Sequence, residues 1–112
     1  MPAIGVPARG SDTGRPIMVV FDLLGRRSAL RVLWELRAGP RTFRALQAAA
    51  QTNPSLLNVR LHELRSNGLV EQGEGGYALT DAGRALLAAL RPLASWAQAW
   101  GVAAGAASDP EA

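Results

Sequence analysis

The sequence predicts a mainly α-helical domain that carries one small β-hairpin. Three observations support this prediction: apolar residues recur at helical spacing in several segments, capping residues with glycine and proline separate those segments, and only one stretch has the character of short strands. The chain has 112 residues, of which 48% are hydrophobic. This is enough for a single core but too little for a large two-domain enzyme.

The start of the chain predicts a disordered tail followed by two helices. Residues 1–16 contain three prolines and three glycines and show no apolar periodicity, which is typical of disorder. Residues 17–24 are mostly apolar and predict the first helix. Gly25 then interrupts the apolar pattern, and residues 28–38 form a second segment with helical periodicity.

Capping residues define the next two helices. A glycine-proline pair ends the second helix, and a third begins near Thr42, whose hydroxyl is a suitable N-cap. Asn53 followed by Pro54 starts a fourth helix, because asparagine can cap free amides and proline at the first helical position loses no hydrogen bond. Gly68 is expected to end this helix in the left-handed conformation.

The rest of the sequence predicts a hairpin and one long helix. Residues 69–72 and 77–79 are short extended runs that a glycine-rich turn separates. Thr80 caps a helix that continues to about residue 101, and we expect Pro92 to bend this helix or to split it in two. A short flexible tail is expected at residues 106–112.

The order of these elements is that of a winged helix-turn-helix: short helices in tandem, a capped helix of about four turns and a hairpin. We expect this domain at residues 17–80 and a long C-terminal dimerisation helix at residues 81–105. The last helix carries leucine and tryptophan on one stripe that a single chain has no room to bury. The expected homodimer interface comprises Leu30, Trp34, Leu86, Leu90, Leu93, Trp96 and Trp100.

Charge is segregated along the chain. Residues 1–66 carry ten arginines and four carboxylates, a net charge of +6, whereas residues 67–112 carry two arginines and five carboxylates, a net charge of −3. A basic half of this kind favours a surface that faces a polyanion such as double-stranded DNA.

The fourth helix, residues 54–67, has the pattern of a helix that reads DNA. At about 100° per residue, Leu57, Leu61 and Leu64 share one buried side. The other side mixes small, apolar, amide and imidazole groups that can contact base edges in a major groove, although an ordinary solvated helix face would show the same pattern. The start of the third helix can hold a phosphate. The predicted DNA-contacting residues are Arg41, Thr42, Arg44, Asn53, Ser55, Asn58, Val59, Arg60, His62 and Arg65.

Several segments resemble the HxlR-type winged-helix regulators, which are relatives of the MarR group. The similarity extends in continuous order over residues 25–100 and is carried by residues 25–36, 39–46, 53–64, 67–70 and 77–84. It implies a homodimer that binds an operator through paired recognition helices and represses or activates a neighbouring promoter. It also makes residues 54–67 the recognition helix, with Ser55, Asn58, Val59 and His62 as base readers. Arg60 matches a family arginine but lies on the flank of the helix, which leaves phosphate contact or local packing as its role.

The chain departs from the family pattern in three respects. Arg27 occupies a position where the family usually has tryptophan, and the wing is short, with Glu71 and Glu74 among three glycines instead of basic residues. Many family members sense oxidants or electrophiles through an N-terminal cysteine, and this chain has none. Minor-groove contact by the wing is therefore not favoured, and an inducer must act without a thiol.

The composition excludes several functions. Without cysteine there is no disulfide framework and no thiolate zinc site. His62 is the only histidine, which gives no metal cluster and no base with a nearby carboxylate, so we predict neither catalysis nor a metal or cofactor. The longest apolar runs are far shorter than the roughly 18 residues of a membrane span, and residues 1–10 lack a signal core. We expect a cytoplasmic protein that does not enter membranes.

Two alternatives remain open from the sequence. The acidic wing and the apolar last helix also suit a winged helix that serves only protein association, without DNA binding. The three tryptophans, Trp34, Trp96 and Trp100, favour a dimer core, but they could instead line a pocket for a small hydrophobic effector between the last helix and the second one.

Overall fold

A computed structural model describes residues 15–105 of the chain. In this range the protein forms five helices and one antiparallel two-stranded sheet. The elements are α1 (Pro16–Leu24), α2 (Ala29–Glu35), α3 (Phe43–Ala50), α4 (Pro54–Ser66), β1 (Val70–Gly73), β2 (Gly76–Leu79) and α5 (Asp81–Ala103). The order confirms the expected winged helix-turn-helix followed by a long C-terminal helix. The tails expected at residues 1–16 and 106–112 lie outside the described residues, except that Pro16 is the first residue of α1.

The capping residues start the helices where the sequence places them. Thr42, Asn53 and Thr80 are the N-caps of α3, α4 and α5, and each side-chain oxygen accepts the backbone N–H three residues later, at 3.2, 2.8 and 3.1 Å respectively. Each such cap contributes about 1 kcal/mol. Gly68 adopts a φ of 74° after α4, which confirms the expected left-handed residue there.

The second helix is shorter than its apolar pattern. The pattern extends to residue 38, whereas α2 ends at Glu35 and residues 36–38 form a turn. In this turn the backbone N–H groups of residues 36, 37 and 39 bind carbonyls three residues earlier, at 3.1 to 3.2 Å. The Glu35 carbonyl, which loses its helical donor, accepts a hydrogen bond of 2.7 Å from Arg41 Nε. The side chain of Arg41 therefore satisfies the early end of the helix.

Pro92 lies within one continuous helix. Of the two outcomes expected for it, the split is wrong, because α5 extends from Asp81 to Ala103 without interruption. Proline removes one helical donor, and the carbonyl that loses it belongs to Ala88. Ala88 is exposed, so water can donate to this carbonyl in place of the backbone.

The core lies between α2, α3, α4 and the hairpin. Its largest buried side chains are leucines from all three helices, and Val70 and Leu79 close it from the two strands. The first half of α5 covers this core with Leu86 and Leu87, which are partly buried. The second half of α5 extends beyond the core and leaves its side chains exposed.

The hairpin is short and is fixed to the segment before α3. Val70 pairs with Leu79 and Gly73 with Gly76, so the turn contains two residues. The backbone of Arg41 exchanges two hydrogen bonds with the backbone of Tyr77, at 2.8 and 2.9 Å. Gly76 has a φ of 107°, and a Cβ at this position would lie 2.3 Å from the Arg41 carbonyl oxygen. Only glycine permits this close approach.

None of the helices between residues 15 and 105 combines the length and the apolar character that crossing a lipid bilayer requires.

Candidate nucleic-acid interface

The recognition helix α4 buries one side and presents the other to solvent. Leu57, Leu61 and Leu64 are at most 2% exposed, which confirms the leucine stripe predicted from the sequence. A tight turn joins α3 to α4, and Gln51 in this turn adopts a left-handed φ of 54°. The residues of α4 expected to face bases are all exposed: Ser55, Asn58, Val59 and His62.

The exposed side of α4 combines apolar, amide and imidazole groups. Val59, near its centre, is 50% exposed although it is apolar. Asn58 and His62, which flank it along the helix, offer amide and imidazole groups. In α3 and α4 together the only carboxylate is Glu63, so no exposed negative charge opposes an approaching phosphate backbone.

Two arginines on this surface have no partner among residues 15–105. Arg44 on α3 and Arg65 on α4 are exposed. Within residues 15–105 the structure gives neither guanidinium group a hydrogen bond or an ion pair. These side chains are available to phosphate oxygens, and their contact with DNA stays a prediction.

Arg41 and Arg60 face the protein instead. Arg41 holds the end of α2, and its Nη2 lies 3.8 Å from a carboxylate oxygen of Glu35. Arg60 is only 13% exposed, and its Nε donates a hydrogen bond of 2.7 Å to the Arg27 carbonyl. The sequence left phosphate contact or local packing as the role of Arg60, and in the structure its side chain packs locally. Arg41 has a structural role, because its Nε donates to the carbonyl at the end of α2, and its expected contact with DNA stays a prediction.

Thr42 and Asn53 are also occupied within the chain. Their side-chain oxygens cap α3 and α4 respectively. Both residues are exposed at the ends of the helices that they cap. The Thr42 hydroxyl keeps its proton as a donor, and the Asn53 amide nitrogen keeps both of its protons. The caps therefore fix these residues in place without removing their capacity to donate to a phosphate.

A chain of ion pairs connects α4 to α1, and sequence analysis did not identify it. Glu63 on α4 binds Arg60 at 2.5 Å and lies 3.5 Å from Arg26 Nε in the turn between α1 and α2. Arg26 in turn binds Asp22 on α1 at 3.2 Å. The spacing of three and four residues could have suggested the two pairs within helices. The pair between Arg26 and Glu63 joins distant parts of the sequence, and only the fold brings it together.

The wing carries negative charge. Glu71 and Glu74 are exposed in the hairpin, together with the residues of its turn. The wing therefore lacks the positive charge that contact with a phosphate backbone requires.

Two further exposed patches are apolar, one on α5 and one on α1. Trp96 and Trp100 are each 59% exposed, and their rings stack with a centroid distance of 5.8 Å and an interplanar angle of 8°. Leu93 beside them is also exposed, and Leu30 on α2 is exposed to a smaller degree. Sequence analysis missed Ile17 and Phe21 on α1, which are both more than half exposed. Their apolar run was visible, but the sequence does not show that the core leaves them uncovered.

The remaining residues of the expected dimer interface lie nearer the core. Leu86 and Leu90 are half-buried, and Trp34 lines a groove between α2 and α5 that has a volume of about 710 Å³. Trp96 and Trp100 do not line this groove. Of the three tryptophans only Trp34 lines this groove, and Trp96 and Trp100 stack on each other beyond it, so a pocket lined by all three stays a prediction.

The described residues offer no alternative site for metal chemistry. In the part of the chain from residue 15 to 105, no group of three histidine, cysteine or acidic residues is arranged to hold a metal ion.

Comparison with known proteins identifies the family. The family model for HxlR-like helix-turn-helix proteins matches residues 23–104. The chain belongs to this family. The match includes all of the hairpin and all of α5, and it confirms the resemblance found in the sequence. The HxlR-like family and its structural neighbours are DNA-binding transcriptional regulators and not enzymes.

Solved structures extend this result. Quinone-bound YodB from B. subtilis is 32% identical, with a TM-score of 0.68 over 72% of this chain and 93% of that one. A MarR family protein from Mycobacterium tuberculosis is 26% identical, with a TM-score of 0.59 over 74% of this chain and 65% of that one. Reduced HlyU from Vibrio cholerae, at 22% identity and a TM-score of 0.58 over 69% of this chain and 86% of that one, shows the same fold. A comparison with curated proteins gave no match.

Proposed function

We propose that this HxlR-like protein is a homodimeric repressor that binds a pseudo-palindromic operator sequence-specifically. The observation that carries the proposal is the division of α4, whose leucine side is buried while its polar and apolar side is exposed and free of carboxylates. A helix with this surface fits a B-DNA major groove and can read base edges there. A dimer seated on an operator blocks other proteins from the same DNA, which is why we propose repression.

The contacts divide into base reading and positioning. Asn58 can pair with adenine, Val59 can contact a thymine methyl group, and Ser55 and His62 can bond to base edges. Arg44 and Arg65, which lack intramolecular partners among the described residues, would contact phosphates on either side of the groove. We leave Arg41 and Arg60 out of the contact set because both side chains are engaged within the protein.

The homodimer would form through the apolar surface of α5 and α1. Leu93, Trp96 and Trp100 expose a continuous apolar stripe, and Ile17 and Phe21 add a second one. A surface of this kind on a small protein is typical of an association site. Two-fold pairing would place the recognition helices about one DNA turn apart.

Selection of bound sequences from a random DNA pool tests the proposal. We expect a pseudo-palindrome whose half-sites are about ten base pairs apart. Affinity for the selected sequence should decrease by orders of magnitude between low and physiological salt, because several phosphates are neutralised by each dimer.

The alternative function is protein association without DNA binding. The same experiment distinguishes it from the proposed function. The acidic wing is the observation in its favour. If the pool yields no enriched sequence and the protein binds DNA no more tightly at low salt, the α4 surface does not bind DNA and the proposed function is wrong.

A further inference from the structure

The turn between α1 and α2 carries an arginine that the proposed function does not use. Arg27 is exposed, and its guanidinium group has no hydrogen bond or ion pair within residues 15–105. Its backbone, in contrast, is held in place, because its carbonyl oxygen accepts a hydrogen bond of 2.7 Å from Arg60 Nε on α4. Arg27 is therefore an available cation whose main chain is attached to the recognition helix.

The backbone of this turn explains why the Arg27 side chain faces outward. The Ala29 N–H binds the Arg26 carbonyl at 3.1 Å, so Arg27 is one of the two central residues of a four-residue turn. The other is Ser28, with a φ of 71° and a ψ of −2°, as in the third position of a type II turn. The left-handed conformation of Ser28 orients the peptide before it, whose carbonyl belongs to Arg27 and faces Arg60. The Arg27 side chain projects from the corner of the turn into solvent.

The charges around this turn leave Arg27 as the uncompensated cation. Arg26 binds Asp22 at 3.2 Å and lies 3.5 Å from Glu63. Glu63 also binds Arg60, at 2.5 Å. Both carboxylates are thus taken by Arg26 and Arg60, whose side chains are at most 24% exposed. These five residues have a net charge of +1, and the exposed Arg27 carries it.

Arg27 lies beside a flank of α4 that has no available cation of its own. At about 100° per residue, Arg60 and Glu63 lie on one flank of the exposed side, and Arg65 lies on the other. Arg65 is available to a phosphate, whereas the guanidinium group of Arg60 is engaged within the protein. Because a helix in a major groove has a sugar-phosphate backbone along each flank, the flank of Arg60 also faces phosphates.

We propose that Arg27 contacts a DNA backbone phosphate beside the Arg60 flank of α4. A guanidinium group forms strong charge-assisted hydrogen bonds with phosphate oxygens. Since the Arg27 carbonyl is bound to α4, this contact would fix the same helix whose exposed side reads the bases. The inference rests on the proposed function, because the phosphate comes near only when α4 occupies the groove.

The first test compares Arg27→Gln with the unaltered full chain on the operator that selection from a random pool supplies. We expect about tenfold weaker binding and a salt slope that is smaller by about one. The preferred sequence should stay the same, because a phosphate carries no sequence information. Arg27→Lys should recover most of the affinity and of the slope, because an ammonium group also binds phosphate.

Ethylation of single operator phosphates locates the contact. Binding by Arg27→Gln should become insensitive to ethylation at one phosphate of each half-site. Binding by Arg65→Gln should stay sensitive at that same phosphate, because Arg65 lies on the other flank of α4. Insensitivity of both variants at one shared phosphate would overturn the proposal.

Arg91→Gln is the control for the loss of one positive charge. Arg91 is exposed on α5 beside Trp34 and Arg37, at the other end of α2, and it has no partner in the described part of the chain. Its replacement should leave the operator affinity and the salt slope unchanged. An equal loss in Arg91→Gln and Arg27→Gln would show an effect of net charge alone and would overturn the proposal.

Two further outcomes separate this inference from the proposed function. Arg27→Gln should keep the melting temperature of the unaltered protein, since the carbonyl that binds Arg60 remains. If the unaltered protein binds the operator and Arg27→Gln binds it equally well with the same salt slope, this inference is wrong and the proposed function stands. If the unaltered protein binds no DNA, the proposed function is wrong and this inference is wrong with it.

Discussion

At the scale of single residues, the arginines divide into those that support the fold and those that are available to a ligand. Arg41 and Arg60 each donate to a backbone carbonyl at 2.7 Å, whereas Arg44 and Arg65 have no such partner in the described part of the chain. The sequence shows all four as basic residues in one half of the molecule. It cannot separate them, because the carbonyls that bind two of them come near only when the chain folds.

The division of the arginines gives a prediction about salt dependence. Replacing Arg44 or Arg65 with glutamine should weaken operator binding about tenfold and reduce the salt slope by about one for each residue. The measurement is operator affinity at several salt concentrations. Asn58→Ala is the contrasting variant, since it should relax the sequence preference at one base pair and keep the salt slope. An unchanged slope in both arginine variants would remove these residues from the phosphate-contacting set.

At the scale of the elements, ion pairs connect the recognition helix to α1. Asp22, Arg26, Glu63 and Arg60 form a continuous chain from α1 to α4, with side chains that are 13% to 24% exposed. Since α1 also carries Ile17 and Phe21, this chain of ion pairs connects the recognition helix to the surface that we propose for dimerisation. The starts of the helices were predictable because capping is local. The orientation of α4 relative to α1 was not predictable, because it depends on pairs that the fold creates.

The ion pairs predict an effect of Glu63→Gln on DNA binding. Loss of the carboxylate leaves Arg26 and Arg60 without their shared partner, and we expect unfolding free energy to decrease by about 1 kcal/mol or less. Operator affinity should decrease by more than this loss of stability explains, and the preferred half-site spacing should broaden, because only the hydrogen bond from Arg60 to the Arg27 carbonyl then holds α4 against the turn after α1.

Glu74→Gln supplies the control for Glu63→Gln, since it makes the same change of charge at the exposed tip of the wing. Denaturation with urea, sedimentation and repeated operator selection would measure the three properties. Equal behaviour of the two variants would show that the ion pairs do not position α4.

At the scale of the whole molecule, residues 15–105 leave part of their apolar surface exposed. The core takes up the leucines of α2, α3 and α4, but the second half of α5 extends away from it with Leu93, Trp96 and Trp100 exposed. The sequence predicted this excess from the stripe on the last helix. The sequence did not predict the exposed apolar residues of α1. An apolar run of this length has the same pattern whether the core buries all of it or leaves part of it exposed.

The exposed stripe predicts that a charged substitution within it abolishes dimerisation and DNA binding together. Trp96→Glu places a charge in the proposed interface, where desolvation without a partner is costly, and it should give monomers that bind the operator at least about a hundredfold more weakly. Ser95→Glu, which points away from Trp96 and Trp100 on the same helix, should remain dimeric. Sedimentation and operator titration measure both properties. Monomeric Trp96→Glu with full operator affinity would show that a single copy is sufficient.

The backbone bridge between Arg41 and Tyr77 has a mechanical consequence. Because these two amides bind each other and Gly76 lies against the Arg41 carbonyl, the hairpin has no freedom to swing independently of the entry to α3. We therefore expect a displacement at the base of the hairpin to move the start of α3 with it.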